Sequence, residues 1–308
     1  MAPYTFTVFT PTFNRAHTLD RLYASLARQT DRDFEWVVVD DGSVDGTAAK
    51  IEGWIREAPF PIVHERQENR GKHVAHNRGV RLARGELFVA VDSDDELEPE
   101  ALERFHRHWS ALSPEERAGY IGVAAFCRDG ATGAVIGRPP SGPIKADALE
   151  CVFRRQIHHD VAACVRTDLM RAYPFPEPPG SVTYVPESTV WNRMMRGRRF
   201  VLTGDILAVK HYGNDGLTLN LTRSFIVHAE ARHQYYLGNL NENADVMLRC
   251  GKRRYVKDAV QLARTMFHAG RTVRQTWRNL RGALNRAVFV AALPLGWCMH
   301  LADRRAVR

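Results

Sequence analysis

Cysteine is sparse and unpatterned in this chain of 308 residues. Cys127, Cys151, Cys164, Cys250 and Cys298 are odd in number and widely spaced, with no CxxC pair. That argues against a disulfide framework or a clustered zinc site and suits a reducing cytoplasm. Long apolar runs are also missing. AVFVAALPLGWCM (287–299) falls short of the ~20 apolar residues that a spanning helix needs, and it contains Pro294 and Gly296. The start, MAPYTFTVFTPTFNR, lacks the charged-then-apolar layout of a signal peptide, so a cytoplasmic protein is expected. No Gly-rich phosphate loop follows the first apolar run. Acids are scarce at one end only. From Lys252 to Arg308, 13 Lys and Arg face only Asp258 and Asp303, a net of +11, which leaves −3 for residues 1–251. Positive charge gathered in a tail, rather than around a cleft, argues against a nucleic-acid enzyme.

What is present is an alternation of strands and helices, with 44% apolar residues to supply a core. TFTVFTP (5–11) predicts a strand, and Leu19, Leu22 and Leu26 predict a helix within 14–29. FEWVVVDDGS (34–43) is a strand running into a turn, followed by a helix over 45–57 with Asp45 as its cap. PIVHERQE (61–68) is a third strand, 73–85 a helix stopped by Gly85, and 86–99 a fourth strand ending in acids. This order implies an α/β fold with a mostly parallel sheet flanked by helices. Residues 120–185, rich in Gly and Pro, read as loops over the sheet edge, 192–199 as helix, and the chain after Thr218 as mostly helical.

In such sheets, ligands bind beyond the carboxyl ends of the strands. Three polar clusters are expected there: Pro11-Thr12-Phe13-Asn14-Arg15, Asp40-Asp41-Gly42-Ser43 and Asp92-Ser93-Asp94-Asp95. Singly, each could be an ordinary turn. Together they point to one crevice. The carboxylates of 92–95 repel one another and need a cation or another positive partner. Hard divalent cations suit carboxylate and phosphate oxygens, so a metal bridging Asp94 to a diphosphate would stabilise a departing nucleotide.

TPTFNR (10–15), VVVDDGSVDGT (37–47), NRGKHVAHNRGV (69–80), ARGELFVAVDSDDELEP (83–99) and VPESTVWNRM (185–194) share content, order and spacing with a known family. Over about residues 5–215 the chain resembles the family 2 glycosyltransferases of bacterial polysaccharide and surface-glycan synthesis, which have a GT-A fold. The resemblance implies an inverting transfer of sugar from a nucleotide-sugar, favouring UDP, to a hydroxyl of a glycan or lipid-linked acceptor, with Mn²⁺ or Mg²⁺. It implies that Pro11 and Arg15 lie near the nucleotide, that Asp41 reads the base, and that Lys72, Asn77 and Arg78 approach the nucleotide and phosphates. Asp92 matches the ribose position and Asp94 the metal-binding acid, with His211 completing the metal or diphosphate site. Many relatives carry a Glu-Asp pair whose Asp is the catalytic base. Here Pro186 and Glu187 stand in its place, so the base is one methylene longer and its acidic neighbour is gone. Asp160 and Arg166 fall where relatives place acceptor-side residues, whereas His158 and His159 read as loop or packing residues.

Two other classes compete. A sugar-phosphate nucleotidyltransferase would share a related sheet but opens with a Gly-rich loop. A non-catalytic glycan-binding module would not need both Asp94 and Glu187. The expected division is a catalytic domain over 1–217 and a helical, basic extension over 218–308. In the latter, Val273, Trp277, Leu280, Leu284 and Val288 recur at helical spacing beside Arg271, Arg274, Arg278 and Arg281. That is the layout of an interfacial amphipathic helix, and together with the family resemblance it implies a peripheral place on the inner face of the cytoplasmic membrane. Packing on the catalytic domain or in a homodimer is the alternative.

Overall fold

The computed structural model describes residues 2–154, 160–177, 184–212 and 221–307. The expected His158 and His159 loop lies outside them. Contacts divide the chain into two units, one of 1–148, 157–183 and 197–213 and one of 149–156, 184–196 and 214–308.

The first unit is built on a ten-stranded mixed sheet. In chain order its strands are β1 (Tyr4–Thr12), β2 (Phe34–Asp40), β3 (Ile62–Arg66), β4 (Gly85–Ala90), β5 (Glu96–Leu97), β6 (Tyr120–Asp129), β7 (Val135–Ile136), β8 (Ile144–Asp147), β9 (Val161–Arg166) and β10 (Arg199–Lys210). The order across the sheet is β3-β2-β1-β4-β9-β6-β10-β5, with β7 beside β6 and β8 beside β10. The β3-β2-β1-β4 half is parallel throughout. The helices, also in chain order, are α1 (Leu19–Ala27), α2 (Thr47–Glu57), α3 (Lys72–Leu82), α4 (Ala101–Ser110), α5 (Pro114–Arg117), α6 (Ala148–Arg154), α7 (Thr167–Ala172), α8 (Ser188–Met195), α9 (Leu221–Val227), α10 (Ala229–Cys250), α11 (Lys252–His268), α12 (Val273–Asn279) and α13 (Ala283–Ala306).

Every residue of β2 is buried, as a continuous apolar strand covered on both faces must be. Phe6, Trp36, Leu87 and Val89 of the sheet pack with Leu19, Leu22 and Leu26 of α1 and Phe105 of α4 in one core. The α1 helix starts only at Leu19, because Asn14 adopts the left-handed conformation (φ 53°) and Arg15–Thr18 form a turn. Asp45 accepts from the amides of Thr47 and Ala16, while the N-cap of α2 itself is Gly46. Gly85 does not stop α3, which ends at Leu82. It opens β4, where an added Cβ would lie 2.3 Å from the Thr7 amide nitrogen.

The expectation of loops over 120–185 is corrected. YIGVAAFC and VAACV, hidden between the Gly- and Pro-rich stretches, form β6 and β9 in the interior of the sheet. They are apolar on both faces, so they carry no alternation to distinguish strand from other buried structure.

The second unit is helical. Leu240, Met247, Tyr255, Leu262, Met266, Leu280 and Phe289 centre its core. The single amphipathic helix expected from 273 to 288 does not form. Leu280 turns extended (ψ 132°) and buries its side chain, and Gly282 at φ 78° separates α12 from α13. Arg271 is spent on an ion pair with Glu230.

Candidate active site

The four-strand parallel half reverses its winding at β1: β2 and β3 lie to one side and β4 to the other. Such a reversal leaves a crevice at the carboxyl ends of the two central strands. The chain leaves β1, β2 and β4 at this edge, and the loops there are tied to one another. The Asn14 amide donates to Ser43 Oγ at 2.8 Å, and the Val44 amide donates to Asn14 Oδ1 at 2.9 Å. Asp40 accepts from the Ser43 amide at 2.8 Å. Asp41 accepts from Gln67 Nε2 (2.7 Å), the Arg70 amide (2.9 Å) and the Gly71 amide (2.8 Å), so its carboxylate draws the loop before α3 onto the end of β2. Gly42 has φ 86°, and a Cβ there would meet the Asn69 amide nitrogen at 3.0 Å, so only glycine makes this turn without strain. A preformed cradle of the 12–15, 40–43 and 67–71 loops results.

The acidic cluster closes the other side. Lys72, at the start of α3, places Nζ 2.7 Å from Asp92 Oδ1. Lys210, at the end of β10, pairs with Asp95 and lies 3.7 Å from the second Asp92 oxygen. Burial alone would raise the Asp92 carboxyl, but Lys72 and Lys210 outweigh it and hold it well below the usual carboxylate range. For Asp95 burial prevails over Lys210, with Asp92 adding repulsion, and its pKa is pushed up to about 6. Lys210 is held above its ordinary range by Asp92 and Asp95 against the effect of burial. The His211 amide donates to Asp95 at 3.1 Å, and its ring Nε2 lies 2.8 Å from Glu96 Oε1.

Asp94 stands apart. Arg21 reaches its backbone carbonyl, but its carboxylate makes no hydrogen bond or ion pair among the described residues. Nor, among those residues, do three or more His, Cys, Asp and Glu gather to hold a metal. A divalent cation here would thus take one protein carboxylate and complete its shell with phosphate oxygens and water, as Mg²⁺ commonly does. The donor set fits that use.

Other expected residues are placed as follows. Pro11 pairs with Val39 near the end of β1, and the Arg15 amide donates to Thr47 Oγ1 at 3.1 Å. Asn77 is buried, and its amide bridges Phe175 and Glu177, donating at 2.9 and 2.8 Å and accepting from the Phe175 amide at 2.8 Å. Arg78 pairs with Glu65 on β3. Because β9 runs antiparallel to β4, Asp160 opens onto the carboxyl-end edge, where Tyr212 donates to it at 2.8 Å. Arg166 opens onto the opposite edge, bound to Asp168 and to the Arg117 carbonyl, so the structure does not bring it to the crevice. Glu187 belongs to the second unit. It is exposed, and its carbonyl accepts from the Val190 and Trp191 amides in the first turn of α8. Sequence reasoning placed Asp95 at this edge with its cluster but missed Lys210 and Glu177. The signal for Lys210 was there, since four clustered acids require a positive partner and VKH ends an apolar run.

The pattern of glycosyl transferase family 2 matches residues 7–129. An uncharacterized glycosyltransferase of Nostoc sp. is 38% identical over 92 residues, 30% of this chain and 29% of that protein. The chain thus spans less than a third of that relative's length. Among solved structures, Staphylococcus aureus TarS (1–349) in complex with UDP-GlcNAc superposes with a TM-score of 0.57 at 16% identity, over 98% of this chain and 92% of that one. The mannosyltransferase PcManGT of Pyrobaculum calidifontis, in complex with GDP-Man and Mn²⁺, gives 0.57 at 21% identity over 97% and 88%. These likenesses establish the GT-A fold. Residues 7–129, which contain β1 through β6 and the Asn14, Asp41 and Asp94 loops, belong to glycosyl transferase family 2.

Proposed function

We propose that the chain is an inverting, metal-dependent glycosyltransferase that moves a sugar from a UDP-sugar to a hydroxyl of a glycan or lipid-linked acceptor. The observation that carries this reading is the Asp94 carboxylate, which has no partner among the described residues at the crevice edge while Lys72 and Lys210 neutralise its neighbours. The neighbouring folds, crystallised with UDP-GlcNAc or with GDP-Man and Mn²⁺, support the same use of the crevice.

In this reading Asp94 would supply the carboxylate that holds Mn²⁺ or Mg²⁺, and His211, now 2.8 Å from Glu96, would complete the metal or diphosphate site. When bound, the cation supplies positive charge to the leaving diphosphate. Pro11, Arg15 and Asp41 shape the nucleotide end of the cradle; Asp41 does so by fixing the 67–71 loop. Lys72 and Arg78 bring cationic charge toward the phosphates, Asn77 holds the 175–177 segment in place, and Asp92 faces the ribose. Glu187 takes the proton of the acceptor hydroxyl as its oxygen attacks the anomeric carbon and the bond to the diphosphate breaks. Attack from the side opposite the leaving group inverts that carbon. Residues 1–217 act as the catalytic domain and 218–308 as a basic extension. The setting is glycan assembly at the inner face of the membrane.

A panel of UDP- and GDP-sugars, read by nucleotide release from the full chain with and without Mn²⁺, tests the proposal. Metal-dependent release from a UDP-sugar is expected. Release from no donor, or release undiminished in EDTA, would overturn it.

A further inference from the structure

We propose that the outer face of α13 is a docking surface for an anionic lipid bilayer, on which the helix lies in the membrane plane. The proposal concerns the second unit alone and does not depend on the sugar-transfer reading.

The helix has two faces. Asn285, Phe289, Ala292, Gly296, His300 and Asp303 are buried. Gly296 sits so close to α11 that a Cβ would come within 2.5 Å of that of Ala263. On the opposite face, Leu284, Val290, Leu295, Trp297 and Leu301 recur at spacings of two to six residues around one stripe. All are exposed, Leu295 by 56% and Trp297 by 46%. Only alanines, Pro294 and Cys298 fill the exposed positions between them, so no charged side chain interrupts the stripe from Ala287 to Ala302. At 1.5 Å per residue, the uninterrupted stripe from Ala287 to Ala302 is ~24 Å long. A continuous apolar surface of that length on a soluble domain calls for a cover.

Charge identifies the cover. From Thr272 to Val307 the charged residues are Arg274, Arg278, Arg281, Arg286, Arg304, Arg305 and one acid, Asp303, which is buried. None of the six arginines makes an ion pair among the described residues. The stripe is therefore bracketed at both ends by cations, and no exposed acid lies between Thr272 and Val307 in the sequence. In a two-fold pairing with a second copy, antiparallel α13 helices would set Arg304 and Arg305 against Arg281 and Arg286, with nothing to offset the repulsion. Anionic headgroups offset all of them, at about 1 kcal/mol for each arginine near the surface.

Length and composition alone would let α13 cross a membrane. Its inner face forbids it. Arg264 holds both Asp303 oxygens at 2.6 Å, His268 adds a contact at 2.8 Å, and Tyr255 donates to Asn285 at 2.6 Å. Spanning would break these bonds and leave Asp303, His300 and Asn285 in hydrocarbon.

Cys298 provides the probe, since it is exposed on the stripe while Cys127, Cys151 and Cys164 are buried and Cys250 is half-buried. The full chain, labelled at Cys298 with an environment-sensitive fluorophore, should shift to the blue on phosphatidylglycerol vesicles and be quenched by nitroxide-labelled lipid. Phosphatidylcholine or high salt should abolish the shift. In flotation of unlabelled protein, Leu295→Gln and Leu301→Gln should each lower partition by about tenfold, and Arg304→Gln with Arg305→Gln by about tenfold. Because these side chains are exposed, circular dichroism and Tm should stay unchanged. No shift on anionic vesicles, equal flotation of the leucine variants, or a lipid-free dimer that protects Cys298 from labelling would overturn the proposal.

Discussion

Asp94 and its neighbours show how four adjacent acids acquire different tasks from their partners. Asp92 is clasped by two lysines, Asp95 is buried on Lys210, Glu96 holds the His211 ring, and the Asp94 carboxylate makes no such bond among the described residues, which is why it is the proposed metal ligand. Asp94→Asn should therefore lower metal-dependent transfer by at least ~10²-fold, the usual scale for charge stabilisation of a leaving group. Its Tm should not fall, since no internal bond is lost. A variant that transfers sugar at the wild-type rate with Mn²⁺ would remove Asp94 from the metal site. At Glu187 binding and chemistry should separate. Glu187→Gln keeps the size and loses the basic oxygen, so transfer should drop ~10²–10⁴-fold with UDP affinity by calorimetry unchanged. Glu187→Asp withdraws the carboxylate by one methylene, a misplacement of ~1 Å that can cost about 10²-fold, and should fall between the two. Wild-type transfer by the Gln variant would shift attention to Asp160, which opens onto the crevice edge.

At the scale of elements, the helical unit depends on polar groups placed inside it. Arg264 and Asp303 join α11 to α13 through a buried, bidentate pair, and Arg264 also stacks 3.8 Å over Phe225. Asp303→Ala leaves that guanidinium buried without its counterion. The expected loss is about 3–5 kcal/mol, measured by urea unfolding. His233 on α10 gives the same unit a pH dependence. It is fully buried, Thr276 Oγ1 is 3.5 Å from Nε2, and Nδ1 has no hydrogen-bond partner. Burial, with Arg271 adding repulsion, lowers its pKa from 6.5 to about 4. Between those values the unfolded chain binds the extra proton, so stability rises with pH there. The contribution is complete above about pH 6.5 and is lost as pH falls toward 4, by about 3 kcal/mol in all. His233→Gln should flatten the drop in unfolding free energy between pH 7.5 and 5. An unchanged slope would show that another group governs it.

For the whole molecule, local pattern carried the reading through the first hundred residues. β1 to β4 and α1 to α3 alternate as a parallel sheet requires, though the strand order came only from the structure, and the Asn14, Asp41 and Asp94 loops had to emerge at the same sheet edge because parallel strands end together. Both the crevice and the need for cations beside Asp92–Asp95 follow from residue types alone. Long-range contact settled the rest. β6 and β9 were hidden because runs that are apolar at successive positions show no alternation. Lys210 reaches Asp95 from 115 residues away, a pairing that only the sheet order β6-β10-β5 creates. The tail illustrates the division most plainly. Its sequence determined that basic, partly apolar stretches would be helical, since arginine and apolar residues recur at helical spacing, but not that they would form one helix from 273 to 288. Which face stayed outside was decided by packing: Leu280 found a place in the core, Gly282 broke the helix, and the Arg264–Asp303 pair turned one side of α13 inward, leaving Leu295 and Trp297 to the solvent.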